Sequence, residues 1–394
     1  MILKYLFIIR PARLMVLCLL SCCIFLSSCN KSSQEYLVFV GTYTGSGSEG
    51  IYSFRFNPET GAVGPAELAA DTENPSFLAI DPQGKYLYAV NEIDTFNGES
   101  AGAVSVYEIE QSGKLKLLQQ VSSQGAGPAH LSLDNTGKFL LVANYNGGNS
   151  AIFPVKEDGS LGHFTAFIQD EGSGLDPNRQ SGPHAHFIRT TIDNRFVMVA
   201  DLGIDRVMIY RFNKADGSLS PNDPGFVGLE PGCGPRHFAF SPSGSHLYVL
   251  NELSSSVAVF DFDPATATVR SRQTISTLPE NFEGSNTAAE ILVDMEGRFL
   301  YTSNRGDNSI VQFAIDHDHG ELKAVDWVPS GGRTPRNFAI DPTGRWLFAA
   351  NQDSDNIVIF PIDQKNGRLT RTSQSMNIDA PVCICFNRAF ALDK

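Results

Sequence analysis

Apolar and polar positions alternate along this chain in short runs, and the runs recur as one unit. An apolar strand is followed by a tight turn usually centred on Gly, a second strand ending in Asn or Asp, then a loop and another strand. The clearest copies are NPSFLAIDPQGKYLYAVNE (Asn74 to Glu92), GPAHLSLDNTGKFLLVANY (Gly127 to Tyr145), GPRHFAFSPSGSHLYVLNE (Gly234 to Glu252), TAAEILVDMEGRFLYTSNR (Thr287 to Arg305) and TPRNFAIDPTGRWLFAANQ (Thr334 to Gln352). A sixth copy, PHAHFIRTTIDNRFVMVADL, lacks the turn Gly. The aromatic or His that opens the second strand falls at Tyr36, Tyr86, Phe139, Phe196, His246, Phe299 and Trp346, in steps of 50, 53, 57, 50, 53 and 47 residues. A period of that length corresponds to one four-stranded sheet per repeat.

Each second strand leads to a third, such as GAVSVYEIE, SSVAVFDFD or NIVIFPID, which is apolar and rich in β-branched residues. Turns ending in Gly follow (NPETG, EQSGK, KEDGS, KADGS, DQKNG), and Gly at that position supplies a positive φ without steric penalty, so these read as hairpins. No long segment carries the 3.6-residue period of a helix, which excludes a helical repeat. The pattern predicts an all-β fold, a seven-bladed β-propeller. Its closure is legible too. The first repeat begins directly with a second strand, YLVFVGTY, and the missing opening strand appears at the other end as APVCICFNR, so the C-terminal strand is expected to complete the first blade. Such a ring explains how the chain exceeds the usual span of about 100 to 200 residues per domain.

The N-terminus has a different composition. Lys4, Arg10 and Arg13 precede the apolar run Leu14 to Leu26, and Leu-Ser-Ser-Cys ends at Cys29. A basic start, a short apolar stretch and small residues before a cleavage point form a secretory signal, and a Cys immediately after it resembles a bacterial lipobox. The expected organisation is a lipoprotein signal over 1–28, a tether over 29–35 lipidated at Cys29, and the propeller over 36–394. The mature protein would be an exported bacterial lipoprotein of the cell envelope, touching membrane only through its anchor. Of seven cysteines, Cys233, Cys383 and Cys385 lie in the propeller and read as buried thiols rather than a disulfide framework. Removing three signal cations and no anions takes the formal charge from −13 to −16, which argues against a nucleic-acid partner. An anionic small molecule would need a local cationic pocket.

Topology places that pocket. First and second strands of a blade run antiparallel, so the start of one and the end of the other share a rim of the disk. Read across the repeats, the starts give Asn74, His130, His184, His186, Arg236, His237, Glu290, Arg336 and Asn337. The ends give Asn91, Glu92, Asn144, Tyr145, Asp201, Asn251, Glu252, Asn304, Arg305, Asn351 and Gln352. Four of the chain's eight His, three Arg and three Glu are thus predicted on one rim, while the opposite rim carries ordinary turn sequences such as DPQGK and DPTGR. The closing Asn residues read as loop caps, and His130 as packing. His163, His246, His317 and His319 read as structural or exposed. Asp316, Asp318 and Gly320 resemble the start of a calcium loop but no ligand run continues. Arg236 and Glu252, 16 residues apart, would meet where the two ends of a hairpin meet, and an Arg fork suits a carboxylate, phosphate or developing oxyanion.

At these residues the sequence resembles the seven-bladed lactonase family that includes bacterial 6-phosphogluconolactonases and fungal carboxymuconate-lactonizing enzymes. The match covers roughly Tyr36 to Arg388 and is most specific over Gly234 to Phe260, Leu278 to Phe282 (LPENF), Ala288 to Arg305 and Thr334 to Gly344. The resemblance implies a site of one His, one Arg and one Glu with a further Arg. Arg and Glu map onto Arg236 and Glu252, His onto His184 or His186, and the further Arg onto Arg305. With the rim reading, His237, Arg305, Arg336, Glu290, Asn337 and Gln352 are the candidate substrate contacts.

The implied activity is a lactone hydrolase, 6-phosphogluconolactonase-like, which opens a sugar lactone to its aldonic acid without metal or cofactor. Arg236, helped by Arg305 or Arg336, would stabilise the oxyanion, and Glu252, His184 or His186 would take the proton of the attacking water. A carboxylate among cations stays ionised, favouring His as base. No GxSxG or HExxH pattern argues for a Ser nucleophile or zinc; a divalent ion at Glu92, Glu290, Asn144 and Asn251 is the minor alternative. The competing functions are a non-catalytic propeller binding a carbohydrate acid or a partner, and a muconate-type lactonizing lyase.

Overall fold

Each repeat folds into one antiparallel four-stranded sheet, and seven such sheets make up the protein in a computed structural model that describes residues 35–45 and 47–387. The expected signal and the expected lipidation at Cys29 lie outside the described residues. In blade 5 the strands run outward in chain order as Pro235–Phe240, His246–Asn251, Ser256–Asp263 and Thr268–Ser276. Blade 1 alone is composite: the C-terminal strand Pro381–Asn387 lies inside Tyr36–Thr42, Gly50–Phe56 and Glu67–Asp71. Its register pairs Val38 with Phe386 and Val40 with Ile384, which closes the ring as expected.

Burial follows position in the blade. The second strand Phe139–Asn144 is buried at every residue, whereas the outermost strand Leu115–Ser122 is largely exposed. The apolar faces meet between neighbouring blades: Val38, Phe56, Ile384 and Phe386 of blade 1 pack with Phe348, Ile357 and Ile359 of blade 7. Each such side chain contributes about 1.5–3 kcal/mol when fully buried, so the closure is held mainly by the hydrophobic effect.

A second contact links blades at the rim away from the predicted site. The aromatic that opens a second strand packs on the hairpin Gly of the next blade, Tyr86 on Gly159, Phe139 on Gly217 and, across the closure, Trp346 on Gly61. Trp346 Nε1 donates to the Pro58 carbonyl at 2.9 Å in the same contact. The turns on this rim are generic, as expected: Asp81, Asp134 and Asp341 each accept three backbone N–H groups of their own turn. In the repeat lacking a turn Gly, Asn194 takes the positive φ of 57°.

On the opposite rim, the inner strands of several blades break register one residue in, between Pro128 and His130, Ala185 and Phe187, Pro235 and His237, and Pro335 and Asn337. These are bulges, which re-aim a side chain where pairing is interrupted. The closing Asn residues cap connectors as expected: the Asn91 amide donates to the Glu73 carbonyl, Asn144 to Ser123, Asn304 to Thr277 and Asn351 to Ser330. Cys233 and Cys383 are free, buried thiols.

Gly61 has φ +76° and its Cα faces the Trp346 ring, so Gly61→Ala must both strain the backbone and overfill the closure. The expected loss is about 1–3 kcal/mol in denaturant unfolding, with Trp fluorescence reporting the disturbed contact. An unchanged midpoint would show that this contact does not hold the ring.

Candidate active site

The site is built from two positions repeated around one rim. The extra residue of these inner-strand bulges is Ala129 in blade 3, His186 in blade 4, Arg236 in blade 5 and Arg336 in blade 7. The residue just after each second strand is Tyr43, Glu92, Tyr145, Glu252 and Gln352 in blades 1, 2, 3, 5 and 7. A common backbone bond fixes the second set: the amides of Tyr43, Glu92, Tyr145, Glu252 and Gln352 donate to the carbonyls of Ala380, Asn74, Gly127, Gly234 and Thr334 at 2.7–3.1 Å. All five acceptors have positive φ, a turn that carries the chain onto the inner strand.

Glu252 is the hub. Its Oε1 accepts from Arg179 at 2.5 Å, and its Oε2 lies 2.7 Å from Arg305 and 3.1 Å from Arg236 Nε. Burial alone would raise its pKa, but Arg305, Arg236 and Arg179 prevail and hold the carboxyl at about 2. Burial and the neighbouring Arg305 and Arg336 push Arg236 down to about 9, still protonated at neutral pH. One terminal nitrogen of Arg236 donates to the Ala289 carbonyl and lies 3.2 Å from His237 Nε2. A fourth guanidinium, Arg336, lies over the Tyr43 ring at 5.2 Å, and no hydrogen bond or ion pair joins it to the described protein.

Two further carboxylates, Glu290 and Glu92, border a narrow polar cavity beside this cluster, which Arg236, His237, Arg336 and Asn337 also line. Glu290 accepts from His237 Nδ1 at 2.9 Å and from the Asn337 amide at 2.6 Å. Burial raises its pKa to about 7 against the pull of Arg236. Glu92 accepts the Tyr43 hydroxyl at 2.9 Å on both oxygens and the Ser76 hydroxyl on one. Asn337 in turn accepts the Ile384 amide at 3.0 Å, which ties the ring-closing strand to the site.

The histidines separate by environment. His237 is held neutral by burial and by Arg236, so its Nδ1–H donates to Glu290 while Nε2 accepts from Arg236. His186 is buried and neutral for the same reasons, and its Nδ1 has no partner. His184 is half-buried and stacks on Tyr145 with ring centroids 4.5 Å apart. Its Nδ1 lies 2.9 Å from the Tyr145 carbonyl. A carbonyl only accepts, so Nδ1 carries the hydrogen, and the tautomer this bond selects has its lone pair on Nε2. His130 is enclosed by Phe77 and Phe187 at 4.2 and 4.1 Å and belongs to the packing.

The structure therefore brings together Arg236, Glu252, Arg305, His237, Glu290 and Asn337 in direct contacts, with Arg336, His184 and His186 on the same rim. Gln352 does not join them. It opens a short 3-10 turn, Gln352–Ser354, and no side-chain hydrogen bond links it to the site. Two residues escaped the sequence reading. Tyr43 follows the second strand of blade 1 in the same register as Glu252, a position the repeat marks once that strand is aligned. Arg179 lies in the connector between Ala166–Gln169 and Ala185–Thr190, which has no counterpart in the repeat, so nothing in the pattern could single it out.

Residues 37–386 match the model of the lactonase, seven-bladed β-propeller family. A Bacillus subtilis protein named 6-phosphogluconolactonase is 37% identical over 353 residues, covering 89% of this chain and 98% of its own length. A 6-phosphogluconolactonase of Formosa agariphila is 35% identical over 308 residues, 76% of this chain and 85% of the relative. Among solved structures, the Pseudomonas aeruginosa periplasmic gluconolactonase superposes with a TM-score of 0.84 at 36% identity, covering 89% of this chain and 99% of that one.

The Glu252 contacts predict a pH signature. Its folded pKa of about 2 lies below the ordinary 4.5, so its ionisation stabilises the fold fully above about pH 4.5 and progressively less as pH falls toward 2. Glu252→Gln should lower the unfolding free energy by about 3 kcal/mol at pH 7, with the gap to the unsubstituted protein closing between pH 4.5 and 2. Denaturant titrations at a series of pH values measure the gap, and one that does not change with pH contradicts the assignment.

Proposed function

The chain belongs to the lactonase family of seven-bladed β-propellers, and from that membership we propose that it is a lactone hydrolase that opens a sugar lactone to its aldonic acid at the arginine-lined rim. The observation that carries the reading is Arg336: a guanidinium within a cluster of four, in a protein of formal charge −13, that no hydrogen-bond acceptor among the described residues engages. Its donors are available for the oxygen of a lactone carbonyl, and the second terminal nitrogen of Arg236 likewise makes no hydrogen bond to the described residues.

In this mechanism Arg336 and Arg236 donate to the carbonyl oxygen and stabilise the charge that develops as water attacks. Glu252, held ionised by three arginines, is the counter-charge that keeps them in place and not the base. His184 Nε2 takes the proton of the attacking water, and the Tyr145 carbonyl keeps the ring in the tautomer that allows it. Collapse of the tetrahedral intermediate breaks the acyl carbon to ring-oxygen bond, and the proton passes from His184 to that oxygen. One water is consumed, and the products are a carboxylate and a hydroxyl on one chain, with the carboxyl proton released to solvent.

The basic and apolar N-terminus with its Cys29 supports a location outside the cytoplasm, anchored by lipid. The name of the Pseudomonas aeruginosa relative, a periplasmic enzyme, agrees with that reading.

The test is hydrolysis of glucono-δ-lactone and its 6-phosphate by the mature protein, corrected for spontaneous opening. Turnover above background is expected with at least one of them. Arg336→Ala should lower kcat by about a hundred- to a thousand-fold. His184→Asn should lower it by about a hundred- to ten-thousand-fold. Absence of catalysed hydrolysis with both lactones would overturn the reading.

A further inference from the structure

Arg179 differs from the other three site arginines in how it is held and in what it has left to offer. Arg236, Arg305 and Arg336 project from strands, whereas Arg179 comes from the connector over residues 170–184. That connector is irregular but firmly pinned at the next residue. Gln180 is fully buried: its amide donates to the Leu202 carbonyl at 2.8 Å and to Asp205 at 2.7 Å, and its side-chain oxygen accepts the Asp176 amide at 3.0 Å. The Gly174 amide donates to the Gln180 carbonyl at 2.9 Å, closing the loop on itself. Arg179 is therefore presented from a fixed base.

Its contacts with the site use a single terminal nitrogen, which reaches Glu252 at 2.5 Å and the Tyr145 hydroxyl at 3.4 Å. Nε and the other terminal nitrogen make no hydrogen bond to the described protein, and the side chain is 37% exposed against 3% for Arg236 and 12% for Arg305. Arg236 and Arg305 face the other oxygen of Glu252, so Arg179 is one of three cations on that carboxylate. Four guanidiniums share the rim with Glu252 and Glu92 and with a Glu290 carboxyl whose pKa is raised by burial. Positive charge is in excess at the mouth, and the outermost part of that excess is Arg179.

We propose that Arg179 is the specificity-determining residue of this site: it reads a second anionic group on the sugar lactone, a phosphate monoester or a carboxylate remote from the reacting carbonyl. The inference rests on the lactone reading above and adds the substituent that the substrate carries. The Nε–H and the unused terminal N–H groups lie on different edges of the guanidinium, and each can donate a charge-assisted hydrogen bond to an oxygen of either anion. The pairing with Glu252 sets its orientation before substrate arrives, so little ordering is needed on binding.

Binding of open-chain products tests this without relying on turnover. Calorimetry of the mature protein with gluconate, glucarate and 6-phosphogluconate compares a neutral tail, a second carboxylate and a phosphate on one carbon skeleton. The expected result is a preference of about tenfold or more for a doubly anionic ligand over gluconate, reduced to below about threefold in Arg179→Ala and partly kept in Arg179→Lys. Tighter binding of 6-phosphogluconate alone assigns a phosphate, and equal tightening with glucarate assigns any second anion. No preference in the unsubstituted protein, or one that survives Arg179→Ala, overturns the proposal. If the preference behaves as expected but neither lactone is turned over, it is the hydrolase reading that fails and the charge-reading role of Arg179 that stands.

Discussion

One ionised carboxylate holds this site together. Arg179, Arg236 and Arg305 converge on Glu252, two of them deeply buried, and without the carboxylate their like charges would repel in a medium of low effective dielectric. Removing one partner of such a buried group leaves charge uncompensated and costs several kcal/mol. The same contact underlies the proposed chemistry. Because three cations keep Glu252 ionised, it is the counter-ion of the proposed mechanism, in which proton transfer is left to the His184 imidazole.

The scaffold makes this arrangement possible by separating its tasks between two rims. On one, aromatic residues pack on hairpin glycines of the next blade and Asp side chains close the turns, which joins neighbouring blades away from the candidate site. On the other, bulges in the inner strands and the positive-φ residues before them interrupt the ladder at one level in several blades. Residues far apart in the chain are thereby set side by side. Asn337 joins the two tasks, because the amide that anchors Glu290 also accepts from the strand that closes the ring.

Much of this was legible in the residues alone, for physical reasons that also mark where legibility ends. The seven-fold repeat, the closing strand and the shared rim follow from alternation and antiparallel pairing, and they place Arg236, Glu252, Arg305, His237 and Glu290 together before any coordinate is known. Arg179 was illegible because it sits in a connector whose path depends on Gln180 finding Leu202 and Asp205, contacts with no sequence periodicity. The proposed preference for His184 over His186 rests on a tautomer, set by the Tyr145 carbonyl at 2.9 Å. Gln352 occupies the right register, yet it opens a turn where the other members of its set face neighbours on the rim.

The central claim is that water attacks an acyl carbon whose oxygen is held by guanidinium groups, and isotope incorporation tests it most directly. Catalysed opening of glucono-δ-lactone in ¹⁸O-enriched water, measured by mass spectrometry after subtracting the spontaneous reaction, should place one labelled oxygen per turnover in the carboxylate and none in the released hydroxyl. Label in the hydroxyl would mean cleavage on the alkyl side of the ring oxygen, and conversion without label would mean a lyase-type reaction. Either result would contradict the account.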